Sequence, residues 1–129
     1  MDERAYPQPG SAAGATGTRG LGEAVFTCET AQEGDRIVVS IQGELDLAVA
    51  PALQRDLLAL VDRPAAKITL DLGGVTFLDS SGLGALYRAR QAADARGIPL
   101  RLESVPDHVM RVLDVTAMAP LFGLGAGSA

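Results

Sequence analysis

Ile37, Val39 and Ile41 alternate with Val38, Ser40 and Gln42, the period of two that lines one face of a β-strand with apolar side chains. Ala24-Val25-Phe26-Thr27-Cys28 reads as a strand before it, and Glu33-Gly34-Asp35 between them has the residue types of a hairpin turn. After Gly43-Glu44-Leu45-Asp46 the period lengthens. Val49, Leu53, Leu57, Leu60 and Val61 recur at helical spacing, with Pro51 in the first turn, where a missing N–H breaks no intrahelical bond, and the helix ends near Pro64. Ile68, Leu70 and Leu72 alternate with Lys67, Thr69 and Asp71 as a further strand, closed by Gly73-Gly74. Leu83, Leu86, Ala89 and Ala93 predict a second helix, stopped by Gly97 and Pro99. Leu100 and Leu102, flanked by Arg101 and Glu103, predict a last strand, and Pro106, Val109, Val112 and Leu113 a third helix.

An initial hairpin followed by helix, strand, helix, strand, helix predicts an α/β fold: a mixed sheet with parallel pairs joined by helical crossovers. The strands alternate rather than run wholly apolar, so the helices are expected mainly on one face. Residues 1–22 are Gly, Ala, Pro and polar residues without period and are expected to form a flexible N-terminal tail. Residues 23–122 then form the domain, and 123–129 a short flexible C-terminal tail.

Composition narrows the function. The chain has 129 residues and 47% hydrophobic content without a tryptophan, so the core must be aliphatic. Sixteen acidic against eleven basic side chains leave a net charge of −5 and no basic cluster to track a phosphate backbone, which argues against nucleic acid. The single Cys28 excludes an internal disulfide and a cysteine-based metal site, and reads as a small core residue in a reducing compartment. No apolar run approaches the roughly 18 residues of a membrane-spanning helix, so a cytoplasmic protein without a membrane partner is expected.

Catalytic constellations fail one by one. Gly73 to Gly82 contains no lysine, so there is no phosphate-binding P-loop. Gly82-Leu83-Gly84-Ala85-Leu86-Tyr87 supplies two glycines of a dinucleotide fingerprint and fails at Tyr87. Neither Ser80 nor Ser81 stands in G-x-S-x-G, because Leu78 and Asp79 occupy the positions two before them. The single His108 follows Pro106 at a helix start and reads as a solvated or capping residue rather than a triad base. Glu44 and Asp46 read as solvated turn carboxylates, with a shared acid/base dyad as the sharper alternative. No catalytic residue, metal site or cofactor is assigned.

What remains is V-T-F-L-D-S-S-G-L-G-A-L, Val75 to Leu86. Asp79, Ser80 and Ser81 lie where a strand-like run meets a helix, the place where side-chain oxygens cap free N–H groups. A cap accounts for one polar residue. Gly82 and Gly84 in a first helical turn cost roughly 0.5–1 kcal/mol each relative to Ala. They fit either close packing of the helix on the sheet or a backbone that a partner can approach. A phosphate on Ser80 or Ser81 would suit the positive end of the helix, while any partner packed there would have to bury a dianion beside Asp79. Cap plus packing and regulatory site both remain open on these grounds.

The sequence is similar to the anti-sigma factor antagonists of bacterial partner-switching systems, members of the STAS domain family. The similarity rests on Gly43-Glu44-Leu45-Asp46 before a helix with Pro51, on Lys67 to Leu72, and above all on Phe77-Leu78-Asp79-Ser80-Ser81-Gly82-Leu83-Gly84. The resemblance implies a STAS-like fold without catalysis of its own. It also implies that the unphosphorylated protein binds an anti-sigma factor that is a serine kinase, freeing the sigma factor. Phosphorylation on Ser80, with Ser81 the alternative, releases the kinase, and a phosphatase restores the active form. Asp46, Asp79, Ser80, Ser81, Gly82 and Gly84 are then the expected partner-binding residues. Two other roles remain beside it: a nucleotide- or anion-binding sensor using the same helix start, and a scaffold in a stress-signalling complex. A small hydrolase lacks a placed base.

Overall fold

The computed structural model describes residues 15–18 and 24–124; the rest of both expected tails, 1–14, 19–22 and 125–129, lies outside the described residues. Five strands form one sheet in chain order: β1 (Ala15–Thr18), β2 (Ala24–Glu33), β3 (Arg36–Leu45), β4 (Lys67–Leu78) and β5 (Leu100–Glu103). β1–β2 and β2–β3 are antiparallel pairs, whereas β3–β4 and β4–β5 are parallel pairs. Helices α1 (Ala50–Val61) and α2 (Ser80–Ala95) make the two crossovers, and α3 (Asp107–Val115) with a 3₁₀ turn (Ala119–Phe122) follows β5. The predicted hairpin is present: Glu33 pairs with Arg36 across a two-residue turn in which Gly34 takes φ 64°, where a side chain would be strained.

Phe26 and Cys28, then Ile37, Val39 and Ile41, then Ile68, Leu70 and Leu72 are buried at alternate strand positions in a single cluster. They therefore line one face of the sheet. Leu53 and Leu57 of α1, Leu83 and Leu86 of α2, and Val109 and Leu113 of α3 join the same cluster, so the helices cover that face as the alternation predicts. Tyr87 and Phe122 close one side of it edge to face, with centroids 6.1 Å apart.

Two elements depart from the sequence expectations. Ala15–Thr18 falls in the expected flexible tail, yet it pairs antiparallel with β2, Ala15 opposite Cys28 and Gly17 opposite Phe26. Composition could not reveal it, because edge pairing draws on the free N–H and C=O groups of β2 and needs no apolar side chain.

The strand expected to close at Gly73-Gly74 instead runs through both glycines to Leu78. The β3–β4 register slips between Ser40 and Gln42 and again between Gly43 and Glu44, a pair of irregularities that the glycines permit. A Cβ on Gly74 would lie 2.5 Å from Gln42 Cγ.

Strand β5 pairs with β4 over Ile68 to Asp71, leaving the later part of β4 without a strand on that side. His108, at the start of α3, donates its Nε2–H to the Val75 carbonyl at 2.9 Å. The helix thereby supplies a hydrogen bond that a longer β5 would have made, beside the segment that runs into Asp79.

Candidate functional site

The site lies where β4 ends and α2 begins. Asp79 is extended (φ −109°, ψ −176°) while its carbonyl accepts the Leu83 N–H at 2.9 Å, the half-in geometry of an N-cap. Its Oδ1 accepts from the N–H groups of Ser81 (2.9 Å) and Gly82 (3.0 Å). Its Oδ2 accepts from the Leu47 N–H at 3.1 Å, and the Asp79 N–H donates to the Leu45 carbonyl at 3.2 Å. One carboxylate thus caps α2 and holds the β3–α1 loop against it.

Ser80 and Ser81 separate cleanly. Ser80 is the first residue of α2 and is exposed; Ser81 is half-buried. The two glycines separate as well. A Cβ on Gly82 would lie 2.2 Å from the Leu45 carbonyl oxygen and 2.8 Å from Leu45 Cβ, so its bare backbone lets α2 sit directly on the end of β3. Gly82, expected among the partner-binding residues, is buried, with Leu45 packed against its Cα. Gly84 is half-buried, and a Cβ there would meet nothing within 4 Å.

Asp46 turns onto its own loop: Oδ1 accepts from Ala48 (3.1 Å) and Val49 (3.3 Å), and its carbonyl from Ala50 (2.9 Å), which starts α1. Gly43, at φ 107°, holds the preceding irregularity of β3. Asp46 and Asp79 are brought to the same end of the sheet, because Leu45 pairs with Leu78 across β3–β4.

Residues 42–54 and 72–87 carry the carboxylates of Glu44, Asp46 and Asp79 and no Lys, Arg or His. They also carry two large apolar side chains that the sequence reading did not single out, Leu47 at 70% exposure and Phe77 at 49%. Their signal was available only in part: both sit beside the two motifs, but the hydrophobic pattern does not say that they are left outside the core. Among the described residues no group of His, Cys, Asp and Glu could hold a metal ion, and no helix is long and apolar enough to cross a membrane.

Cys28 packs in the core, where burial, reinforced by the negative charge of Asp56, pushes its thiol up to about 12. A thiol so disinclined to ionise is structural, as its strand position predicts.

These features define a small mixed α/β domain that presents a capped, exposed serine at the C-terminal end of its parallel strands. The family described as "Mlab, STAS domain" matches residues 28–123, and the chain belongs to the STAS domain family. It is 30% identical over 97 residues to the anti-sigma-B factor antagonist of Bacillus subtilis, covering 75% of this chain and 88% of that protein. Among solved structures it is similar to an anti-sigma factor antagonist from Mycobacterium paratuberculosis (TM-score 0.65, 28% identity, 78% of this chain and 86% of that one). Its fold is also that of SpoIIAA in the unphosphorylated form (TM-score 0.62, 18% identity, 72% of this chain and 83% of that one). Within the family it is thus similar in sequence to anti-sigma factor antagonists.

Proposed function

We propose that this protein is a phosphorylation-controlled anti-sigma factor antagonist. Unphosphorylated, it binds an anti-sigma factor that is also a serine kinase and so frees the sigma factor in the cytoplasm; phosphorylated on Ser80, it lets go, and a phosphatase resets it. The observation that carries this reading is the contrast between the serines: Ser80 is exposed at the first position of α2, and Ser81 is half-buried. A phosphate of about −1.5 to −2 charges on Ser80 enters solvent without disturbing the core, while a partner seated there has to desolvate it next to Asp79. SpoIIAA, which shares the fold, has a structure in the phosphorylated form (TM-score 0.57, 17% identity), and the proposal carries that modification over to this chain.

An anion sensor at the same helix start is less well supported. The N–H groups of Ser81 and Gly82, which such an anion would need, are already taken by the Asp79 carboxylate.

The test is to incubate the protein with the purified anti-sigma factor kinases of its source organism and ATP, and to map phosphate by mass spectrometry. Phosphate on Ser80 is expected, with Ser80→Asp binding the kinase weakly and Ser80→Ala binding it persistently. An active kinase that leaves Ser80 unmodified, or equal affinity of the two variants, removes the switch.

A further inference from the structure

The strand positions that point away from the helices form the second face of the sheet, and the registers set its side chains out in rows. Arg36 of β3 pairs with Lys67 of β4. Two residues further along, Val38 pairs with Thr69, and Thr69 with Arg101 of β5. Two further still, Glu29 of β2 pairs with Ser40, Ser40 with Asp71, and Asp71 with Glu103. The face therefore starts basic, crosses a small uncharged middle at Val38 and Thr69, and ends in three carboxylates, all within roughly 13 Å along the strands.

Most of these charges have no counterpart in their own chain. Arg36 is paired with Glu33 at 2.7 Å, but among the described residues Glu29, Lys67, Asp71 and Arg101 form no ion pair. Lys67 and Asp71 cannot reach each other, because four residues of strand hold them roughly 13 Å apart. The middle of the face is also incomplete. Thr69 is only 2% exposed, yet among the described residues its hydroxyl makes no hydrogen bond, which is rare for a buried polar group.

We infer that this face is the interface of a two-fold symmetric dimer of the chain. Turning a second copy over about an axis that crosses the strands at Val38 and Thr69 lays the acidic row of each copy on the basic row of the other. Lys67 of each copy then meets Asp71 of the other, so one contact is made twice, and Val38 and Thr69 face their own counterparts on the axis. An axis running along the strands instead sets Arg36 of one copy against Lys67 of the other, like charge on like. The dimer does not rest on the function proposed above. Leu78, next to the Asp79 cap, lies roughly 23 Å along β4 from Asp71. The axis sends these ends of the two copies in opposite directions, so both Ser80 hydroxyls stay free.

The experiment is sedimentation equilibrium of the full chain from about 5 μM to about 1 mM, with circular dichroism and thermal unfolding to establish that each variant is folded. The wild type is expected to show a monomer–dimer equilibrium with a dissociation constant of about 10–300 μM, the weak range of a small polar interface. Lys67→Glu and Asp71→Lys are each expected to weaken it by at least about tenfold, since each variant alone sets like charges together twice. Mixed in equal amounts they are expected to associate within about threefold of wild type, because the mixed pair restores an opposite charge at both contacts. Val38→Lys, which puts two cations on the axis, is expected to weaken the dimer as strongly. Arg88→Glu, exposed on α2 on the other side of the sheet, is expected to change it by less than about twofold.

A wild type that stays monomeric at about 1 mM overturns the dimer, and so does a dimer that Lys67→Glu and Val38→Lys both leave within twofold. A mixture of folded Lys67→Glu and Asp71→Lys that stays monomeric overturns the two-fold arrangement. Should Asp71→Lys fail to fold, through loss of the Asp71 Oδ1 bond from the Gly73 N–H, Lys67→Glu and Val38→Lys decide the matter alone. Each of these failures leaves the switch at Ser80 standing, which phosphate mapping tests separately.

Discussion

Asp79 holds Leu47 across 32 positions of sequence: one carboxylate oxygen accepts the Leu47 N–H while the other caps the first turn of α2. Asp79 is therefore a clasp between the helix that starts at Ser80 and the loop that carries Leu47. A cap alone needs a single oxygen. The second oxygen makes the loop position depend on the same side chain, so the β3–α1 loop and the first turn of α2 share one support.

Asp79→Ala removes every one of these bonds and is expected to destabilise the fold by about 1–2 kcal/mol, the range of a lost N-cap. Asp79→Asn keeps one carbonyl acceptor but turns an NH₂ toward a backbone donor, so its loss should fall between Ala and wild type. Urea unfolding followed by circular dichroism checks both, and unchanged midpoints for Asp79→Ala would contradict the clasp.

The glycines of α2 predict opposite signs. Gly82→Ala drives a methyl into the Leu45 backbone at 2.2 Å, where a rigid carbonyl rather than a flexible side-chain end must yield. A loss of roughly 2 kcal/mol or more is expected, the cost of overpacking. Gly84→Ala meets open space inside the helix and should gain about 0.5–1 kcal/mol from helix propensity. Thermal unfolding of the two variants side by side decides it; melting shifts of the same sign would show that the packing of α2 on β3 is not as described.

Cys28 gives a pH dependence. Its thiol ionises near 9.0 in an unfolded chain and is pushed up to about 12 by burial in the fold. Between those values the unfolded state gives up a proton that the folded state keeps. Stability is therefore fully present below pH 9.0 and falls as pH rises toward 12, with a slope approaching about 1.4 kcal/mol per pH unit. Other groups titrate in this range, so the readout is the difference from Cys28→Ala, whose stability should fall less steeply above pH 9. Parallel curves for the two proteins would place the thiol in a more polar setting.

Residue pattern made most of the fold legible. The alternation of Ile37, Val39 and Ile41, and the helical spacing of Leu53, Leu57 and Leu60, are local expressions of which side faces the core, and those side chains are all buried. The same logic failed at Gly73-Gly74, where a glycine pair looked like an end. Whether glycine ends a strand or lets it pass a bulge depends on the neighbouring strand, here on Gln42, and no local pattern contains it. It failed at Ala15–Thr18 for the complementary reason, since backbone pairing leaves no mark in side-chain type.

At the site, Asp79 is legible as a cap because capping is a short-range matter of an oxygen reaching the N–H groups two and three residues on. The hydroxyls of Ser80 and Ser81, alike in sequence, are told apart by burial, which the packing of α2 decides.

By itself the sequence determined the α/β order of elements, the aliphatic core, the cap at Asp79 and the family, because each is carried by periodicity or by adjacent residues. Only the tertiary structure decided that Gly82 packs on Leu45 and that Asp79 reaches Leu47. These relations join segments more than thirty residues apart, and they arise when β3 and β4 pair and α2 settles onto the end of β3.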